Sequence, residues 1–400
     1  MNKISFLFFS LFLVLTGNIL KSQTFTNYTV ADGLPDNFIN GGVAVDSDNN
    51  KWFGTAAGIA KFNDTTWTVY STFDGLIDNY TTCIASDGND IWIGTNLGAS
   101  KFDGTTWTSY TTTEGLPDNT INYIAADQSG NIWFATFAGA TKFNGSVWTN
   151  YTTSDGLPSD LISYITTDGF GNIWFGTWMG GIAKYNGSTF TSYNMANTDS
   201  LLDDNISSIA ITQTGEIWIG TLYGITVLDN AGNWVINYRQ TDGLYNDYIM
   251  DIDIDLDGSI WSGSFIDYLL EGGVTEFDGY NWASYDVSDG MADAQIERLA
   301  VDQDNNIWVA TGTGVTKISQ ITSVSNIQKD LSILVFPNPV KDLLYVPDNV
   351  TANVKIIDIS GNILIDKNMQ GCNQQIDISR LSAGVYFINF QRYEKTCNFK

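Results

Sequence analysis

Histidine is absent from the 400 residues, and cysteine, proline and basic residues are scarce, at three, six and 18. Without imidazole, the chain cannot build a histidine-based triad, an imidazole general base or a histidine-ligated metal site. The 44 acidic residues give a formal net charge of −26. Such a surface repels nucleic acid and anionic lipid, because binding phosphates requires Lys and Arg. We therefore expect no nucleic-acid partner and no cofactor.

A long hydrophobic run occurs once, at the start of the chain. A short basic segment ending at Lys3 precedes an apolar run over residues 4–15, and small polar residues follow around Ser22. The run is too short to cross a bilayer comfortably, and this order is typical of a cleavable signal peptide. The sequence predicts a signal peptide over residues 1–22, no transmembrane segment in the mature chain, and export.

A tryptophan recurs at intervals of 40 to 47 residues through most of the chain. The seven copies are Trp52, Trp92, Trp133, Trp174, Trp218, Trp261 and Trp308. This interval is the period of one four-stranded propeller blade. Asp-Gly and Asn-Gly turns between β-rich runs accompany it, as at Asn144-Gly145. One blade is predicted to have strands a (121–127), b (132–136), c (140–143) and d (147–152).

The two ends of the repeat array are out of phase. The last copy, at 296–318, supplies strands a, b and c only, whereas residues 25–29 match the strand d segment 148–152. The N-terminal strand therefore completes the last blade, which closes the ring and removes an open sheet edge. The predicted fold class is all-β: a seven-bladed propeller at 24–319, closed by the N-terminal strand.

The repeat motifs resemble those of the two-component-regulator propeller family. They include Gly115-Leu116-Pro117-Asp118-Asn119, Gly130-Asn131-Ile132-Trp133 and Gly139-Ala140-Thr141-Lys142-Phe143. The family resemblance implies a sensor-like propeller outside the cytoplasm. This chain has no sequence of a kinase or DNA-binding module, so phosphotransfer signalling is not implied.

The tail resembles a second family, the type A C-terminal sorting domain of the type IX secretion system. The motifs are Val335-Phe336-Pro337-Asn338-Pro339, the strand-like segment 354–361 and Leu381-Ser382-Ala383-Gly384-Val385-Tyr386. The match covers 331–400, after a polar linker at 320–330, and the pattern predicts a small β-sandwich. The resemblance implies that the type IX secretion machinery is a partner and that the protein is extracellular or on the outer cell surface.

The three cysteines have different settings. Cys83 lies in an apolar strand and is expected to be a core residue. Cys372 and Cys397 lie in the tail, where an exported protein meets oxidising conditions. Spacing alone does not decide between a disulfide and two free thiols, because it does not fix the distance between the Cα atoms.

Two acidic patterns invite a cation site. Alternating carboxylates from Asp251 to Asp257, followed by Gly258, are compatible with calcium, but no Glu stands at the twelfth position of the loop. Other blades fill the same a–b turn with ordinary turn residues, so turn chemistry is the preferred interpretation. The recurring Asp-Gly-Leu segments, such as Asp155-Gly156-Leu157, are likewise interpreted as loop structure rather than as a metal site.

Residues that repeat build the blade, so residues that differ between blades are the candidates for function. The b–c turns of blades 3 to 6 carry bulky side chains, and blade 6 has an insertion there. The candidate ligand-binding residues are Phe137, Trp178, Tyr223, Phe265, Asp267 and Tyr268. Aromatic faces beside a carboxylate suit sugar rings. Loop aromatics that pack on one another are the alternative explanation.

Two classes of function remain open from the sequence. The first is a non-catalytic binding or adhesion module, with glycans as the candidate ligand; no catalytic residues are assigned. The second is a glycan-active hydrolase or lyase with paired carboxylates, which does not need histidine.

Overall fold

The computed structural model describes residues 22–88, 90–197 and 201–321, with the C-terminal segments 343–346, 352–358, 363–369, 374–381 and 386–392. Residues 23–321 form one compact unit, and the C-terminal segments belong to a second. Cys372, Cys397 and almost all of the predicted signal peptide and linker lie outside the described residues. The predicted domain boundaries therefore stay predictions.

Seven four-stranded antiparallel sheets make up the first unit. Blade 1 has β2 (Gly42–Val45), β3 (Lys51–Thr55), β4 (Gly58–Phe62) and β5 (Trp67–Tyr70). Blade 2 has β6 (Thr81–Asp87), β7 (Asp90–Thr95), β8 (Ala99–Phe102) and β9 (Trp107–Tyr110). Blade 3 has β10 (Ile121–Ala126), β11 (Ile132–Thr136), β12 (Gly139–Phe143) and β13 (Trp148–Tyr151). Blade 4 has β14 (Ile162–Thr167), β15 (Ile173–Thr177), β16 (Ile182–Tyr185) and β17 (Phe190–Tyr193).

The remaining blades follow the same plan. Blade 5 has β18 (Ile206–Ile211), β19 (Ile217–Thr221), β20 (Gly224–Leu228) and β21 (Trp234–Tyr238). Blade 6 has β22 (Ile249–Ile254), β23 (Ile260–Ile266), β24 (Glu271–Phe277) and β25 (Trp282–Tyr285). Blade 7 has β26 (Ile296–Val301), β27 (Ile307–Thr311), β28 (Gly314–Ile321) and the N-terminal β1 (Ser22–Tyr28). Short 3-10 helices, Thr153–Asp155, Gln240–Asp242 and Val287–Asp289, lie in three d–a loops.

The seven-bladed, closed fold is confirmed. Strand β1 pairs with β28 as the outermost strand of blade 7, as the out-of-phase ends predict. The innermost strands of neighbouring blades contact one another around the whole ring, including β26 with β2. The b–c turns and d–a loops share one side of the ring, here called the upper face. The a–b and c–d turns share the lower face.

The repeated residues form the core between blades. Strand b is buried along its length in five blades, as in Ile132–Thr136, and at all but one terminal residue in the other two, whereas strand d is largely exposed at its central residues. Trp133 of strand b stacks on Tyr151 of its own blade, with ring centres 5.5 Å apart, and contacts Phe175 of the next blade at 5.7 Å. Each Trp is therefore part of the interface between blades.

The a–b turn fixes this Trp through a carboxylate. In blade 3 the Asp127 carboxylate accepts hydrogen bonds from the Trp133 indole N–H (2.9 Å) and from the Asn131 backbone N–H (2.9 Å). Desolvation alone would raise the pKa of Asp127. These hydrogen bonds stabilise the carboxylate and hold its pKa below the usual value. The Asp127 carboxylate thus pairs with the buried indole N–H of Trp133 and also stabilises the a–b turn.

The Asp-Gly-Leu loops, which include the variant Glu114-Gly115-Leu116, have a structural role. Gly115 has a φ of +137°, and a Cβ atom there would lie 2.5 Å from Cγ of Trp148. Only glycine fits such a close approach at positive φ. Leu116 beside it is 3 % exposed and packs between blades.

The second unit contributes two small antiparallel sheets in its described residues. One pairs β29 (Leu343–Val346) with β32 (Gln374–Asp377), and the other has the order β31 (Ile363–Met369), β30 (Ala352–Asp358), β33 (Tyr386–Arg392). The side chains of Val354, Ile356 and Ile376 are buried. No helix among the residues described in either unit is long and apolar enough to cross a membrane.

Candidate functional site

The upper face carries a cavity of about 460 Å³ at the mouth of the central channel. We call it the upper cup. Its lining comes from Thr82, Asn122, Phe137, Ser163, Trp178, Asn205, Ile206, Ser207, Leu222, Ile249, Met250 and Arg298. The lining combines aromatic and aliphatic side chains with hydroxyl and amide groups, and Arg298 is its charged member.

A repeated β-bulge supplies the polar wall of the upper cup. In six blades the register between strands a and b shifts at the second residue of strand a, as between Ile121 and Tyr123. A bulge re-aims a side chain, and here it turns Asn122, Ser163 and Ser207 toward the cup. Asn122 donates to the carbonyl of Ile162 (2.8 Å), which fixes the position of its amide group in the wall. Ser207 Oγ is buried and has no partner among the described residues.

Two of the predicted rim residues meet over the cup. Phe137 and Trp178, from the b–c turns of blades 3 and 4, have ring centres 5.4 Å apart at 50°. Their exposed fractions are 38 % and 48 %. Both rings therefore pack on each other and still offer surface to the cavity.

Three other predicted residues lie elsewhere on the rim. Tyr223 and Tyr268 are exposed, and the ring centre of Tyr268 is 6.5 Å from that of Tyr248. Tyr268 is the largest cause of a raised pKa at Tyr248, followed by desolvation and then Tyr223. Asp267 is exposed beside them, in the turn closed by the Leu270 N–H to Asp267 carbonyl bond.

Phe265 does not present a free face. It is 8 % exposed, and its backbone N–H donates to the Tyr248 carbonyl at 3.1 Å. The insertion therefore turns this ring into the protein, and the six residues do not form one continuous surface. Phe265 was expected on the rim because its sequence position matches Phe137, but the extended β23 buries it.

Arg298 was missed by the sequence reasoning. It comes from strand a of blade 7 and crosses the channel, so that its guanidinium carbon lies 5.6 Å from the ring centre of Tyr123 and 6.0 Å from that of Tyr164. Nη1 donates to the Met250 carbonyl at 3.2 Å. The two tyrosine hydroxyls are 3.0 Å apart, and burial raises the pKa of both phenols. These side chains close the channel below the cup, and we call them the channel septum.

The septum is built from one column of the repeat. One position of strand a, the third residue in blades 2 to 7 and the first in β2, reads Gly42, Cys83, Tyr123, Tyr164, Ser208, Asp251 and Arg298. Gly42 makes room for the arginine, because a Cβ atom there would lie 2.7 Å from Cγ of Arg298. The residue type at this strand a position varies from blade to blade, and this variation in the sequence could have indicated the septum.

Asp251 supplies the opposite charge within the septum. Its carboxylate accepts from Ser208 Oγ (2.8 Å) and from the Leu299 backbone N–H (2.9 Å). Burial raises the pKa of Asp251 despite the nearby Arg298. For Arg298, burial would lower the pKa, but Asp251 and the two tyrosines together raise it.

The Asp251–Asp257 run does not converge on a cation. Asp251 faces the septum, whereas Asp255 accepts from the backbone N–H groups of Asp257 and Ser259 and from the Trp261 indole (3.1 Å). No group of three or more acidic or cysteine side chains suited to a metal occurs among the residues that the structure describes. The geometry agrees with turn chemistry.

Comparison with protein families identifies both parts of the chain. Residues 334–400 match the secretion system C-terminal sorting domain, and residues 115–138, 156–179 and 200–223 match the two component regulator propeller. The chain carries two-component-regulator propeller repeats and a type IX sorting domain. The protein is therefore secreted or on the cell surface, and the sorting domain implies contact with the secretion machinery. No curated protein matches the sequence.

Solved structures share the propeller fold at low sequence identity. The extracellular domain of a hybrid two component system from B. thetaiotaomicron has a TM-score of 0.62 and 19 % identity, over 87 % of this chain and 49 % of that one. PorZ, a surface component of the type-IX secretion system of Porphyromonas gingivalis, has a TM-score of 0.61 and 18 % identity, over 90 % and 58 %. A streptogramin B lyase has a TM-score of 0.61 and 16 % identity, over 74 % and 98 %. The chain spans about half the length of the first structure, and the likeness concerns the fold.

Proposed function

We propose that the exported propeller is a non-catalytic binding module that holds a glycan in the upper cup. The observation that carries this proposal is the pair Phe137 and Trp178, whose partly exposed rings overhang a cavity with hydroxyl and amide walls. The C–H faces of a sugar stack on such rings, while its hydroxyls bond to groups such as Asn122, Ser163 and Ser207.

The lining supports binding better than hydrolysis. A glycoside hydrolase needs two carboxyl groups flanking the scissile bond. The charged side chain of the cup lining is Arg298, and the nearest carboxylate of the septum, Asp251, is engaged by Ser208 and the Leu299 N–H. A module of this kind would attach an exported protein to a polysaccharide.

The test is glycan-array binding by the mature protein and its Trp178→Ala variant. We expect the wild type to bind a defined set of glycans and the variant to lose about tenfold or more in affinity, since a stacking surface is removed. Leu97→Ala is the matched control, because Leu97 is exposed at the b–c turn of blade 2 and is not part of the cup lining. Absence of glycan binding by the wild type, or equal loss in both variants, contradicts the proposal.

A further inference from the structure

Two contacts to the strand b tryptophan recur around the ring. In blades 1, 3, 4, 6 and 7 its indole N–H donates to the Asp that opens the a–b turn, at 2.7 to 3.1 Å. In blades 1, 2, 3, 4 and 7 the Nζ of a strand c lysine lies 5.1 to 5.8 Å from the centre of the Trp ring. Most blades therefore supply both an acceptor and a cation to their own tryptophan.

Blade 5 supplies neither. Thr212 stands where other blades have the turn Asp, and Val227 pairs with Trp218 where five other blades have the lysine. Trp218 is 5 % exposed, and its indole N–H has no acceptor among the described residues. A buried donor without a partner costs free energy, so this Trp is primed for an acceptor from outside the blade.

The missing groups leave a cleft between blades 5 and 6, toward the lower face. The blade 5 cleft has a volume of about 270 Å³, and Trp218, Val227 and Phe277 contribute to its lining. Glu216, also in the lining, is exposed and holds a carboxylate near the cleft. Its charge adds to burial in raising the pKa of Tyr238, which stacks on Trp218 at 5.4 Å.

The cleft adjoins an unusual edge strand. Strand β21 is the outermost strand of blade 5 and contains one residue more than strand d of blades 1, 2, 3, 4 and 6, with a register shift opposite Val227 and Leu228. It exposes Trp234 (52 %), Val235 (45 %) and Ile236 (38 %). An exposed apolar edge strand is a template for an added extended segment.

We propose that the blade 5 cleft binds a lysine side chain presented by an extended segment of a partner protein. The ammonium group takes the place over the Trp218 ring that lysines occupy in five other blades, and Glu216 compensates its charge. A backbone carbonyl of the same segment accepts a hydrogen bond from the Trp218 indole N–H. A free amine has no such carbonyl, so the site requires a peptide segment. The net charge of −26 favours a basic partner. This site lies away from the upper cup and does not depend on glycan binding.

The experiment is titration of the mature protein with the peptide Ac-Thr-Val-Lys-Val-Thr-NH₂, followed by NMR of the tryptophan indole N–H groups. The Trp218 resonance is assigned with Trp218→Phe. We expect the peptide to shift this resonance while leaving that of Trp178 unchanged. The same peptide with norleucine in place of lysine should bind at least about tenfold more weakly, because it keeps the four-carbon aliphatic chain and loses the ammonium group. Equal binding of the two peptides, or no shift at millimolar peptide, overturns the proposal.

Two variants test the site itself. Thr212→Asp with Val227→Lys restores the groups of the other blades, so we expect loss of peptide binding with an unchanged or higher melting temperature. Glu216→Gln changes an exposed charge and is expected to weaken binding several-fold without affecting folding. Should the double variant fold poorly, Glu216→Gln and the single Val227→Lys decide: unaltered peptide affinity in both refutes the lysine site. The Trp178→Ala variant should bind the peptide as the wild type does.

Discussion

Closure of the ring by the N-terminal strand makes a quantitative prediction for two side chains of β1. Phe25 packs toward blade 6, 5.7 Å from the ring centre of Tyr285, and Tyr28 stacks on Trp308 at 5.6 Å and contacts Phe62 at 5.3 Å. The strand therefore fills the space on both sides of blade 7. Replacing both residues by Ala removes both contacts and keeps the backbone ladder with β28.

The magnitude follows from burial. Phe→Ala in a full core costs about 3–5 kcal/mol, and these half-buried rings should each cost about 2 kcal/mol. The two rings contact different aromatic side chains, so their effects should add to about 4 kcal/mol. At about 2–4 °C per kcal/mol for a domain of this order of size, the melting temperature should fall by about 10 °C.

The assay is thermal unfolding of the mature protein, followed by circular dichroism. The control is Thr24→Ala with Thr26→Ala, since both threonines of the same strand are exposed and should change the free energy of unfolding by no more than about 0.5 kcal/mol each. If the Phe25 and Tyr28 variant melts at the same temperature as this control, β1 does not close the ring in solution.

Three further predictions concern the aromatic residues, export and pH. Trp133→Ala should lower the free energy of unfolding by about 3–5 kcal/mol through a cavity between blades, whereas Trp178→Ala should leave the melting temperature within about 2 °C of the wild type; similar melting of both variants in calorimetry would contradict this division. A chain ending at Asp330 should cross the inner membrane and stay in the periplasm, and its detection at normal levels on the cell surface by fractionation would show that the tail is not needed for sorting. Burial raises the pKa of Asp253 to about 7, above the usual value of about 3.9. The folded protein therefore holds this proton more tightly than the unfolded chain, and its contribution to stability is lost as the pH rises toward and through 7. Asp253→Asn should reduce the fall in melting temperature between pH 5 and pH 8, and an unchanged pH dependence would show that Asp253 is ionised in the fold.

The repeated residues were sufficient to predict the fold. The seven Trp positions, the turn glycines and the out-of-phase strand d each report a local requirement of the backbone or of the core between blades. Trp133 and Gly115 illustrate this, because one fills an interface and the other meets Trp148 at a distance that excludes a Cβ atom. Such requirements are the same in every blade, so the sequence repeats them.

The site could be predicted only in part, because its geometry depends on residues from several blades. The b–c turn directed attention to Phe137 and Trp178, which meet over the cup. Sequence position alone did not show that Phe265 is drawn into a longer strand, or that Tyr268 contacts Tyr248, outside the cup lining. The position of a residue in a turn fixes the face of the propeller on which it lies, but not its side-chain rotamer or how deeply the side chain is buried.

Variation at equivalent positions of the inner strands indicates more than variation in the turns. Arg298 occupies a strand position where the other blades have Gly, Cys, Tyr, Ser or Asp, and it closes the channel because Gly42 leaves space for its stem. Trp218 keeps the constant residue of its column but loses both partners, Asp to Thr212 and Lys to Val227, and the result is a cleft with an unsatisfied donor. In a ring of similar blades, the neighbours of a side chain that repeats in every blade therefore carry as much information as the side chain itself. A Trp that has lost both its acceptor and its cation is a better candidate for a binding site than an exposed aromatic whose contacts are complete.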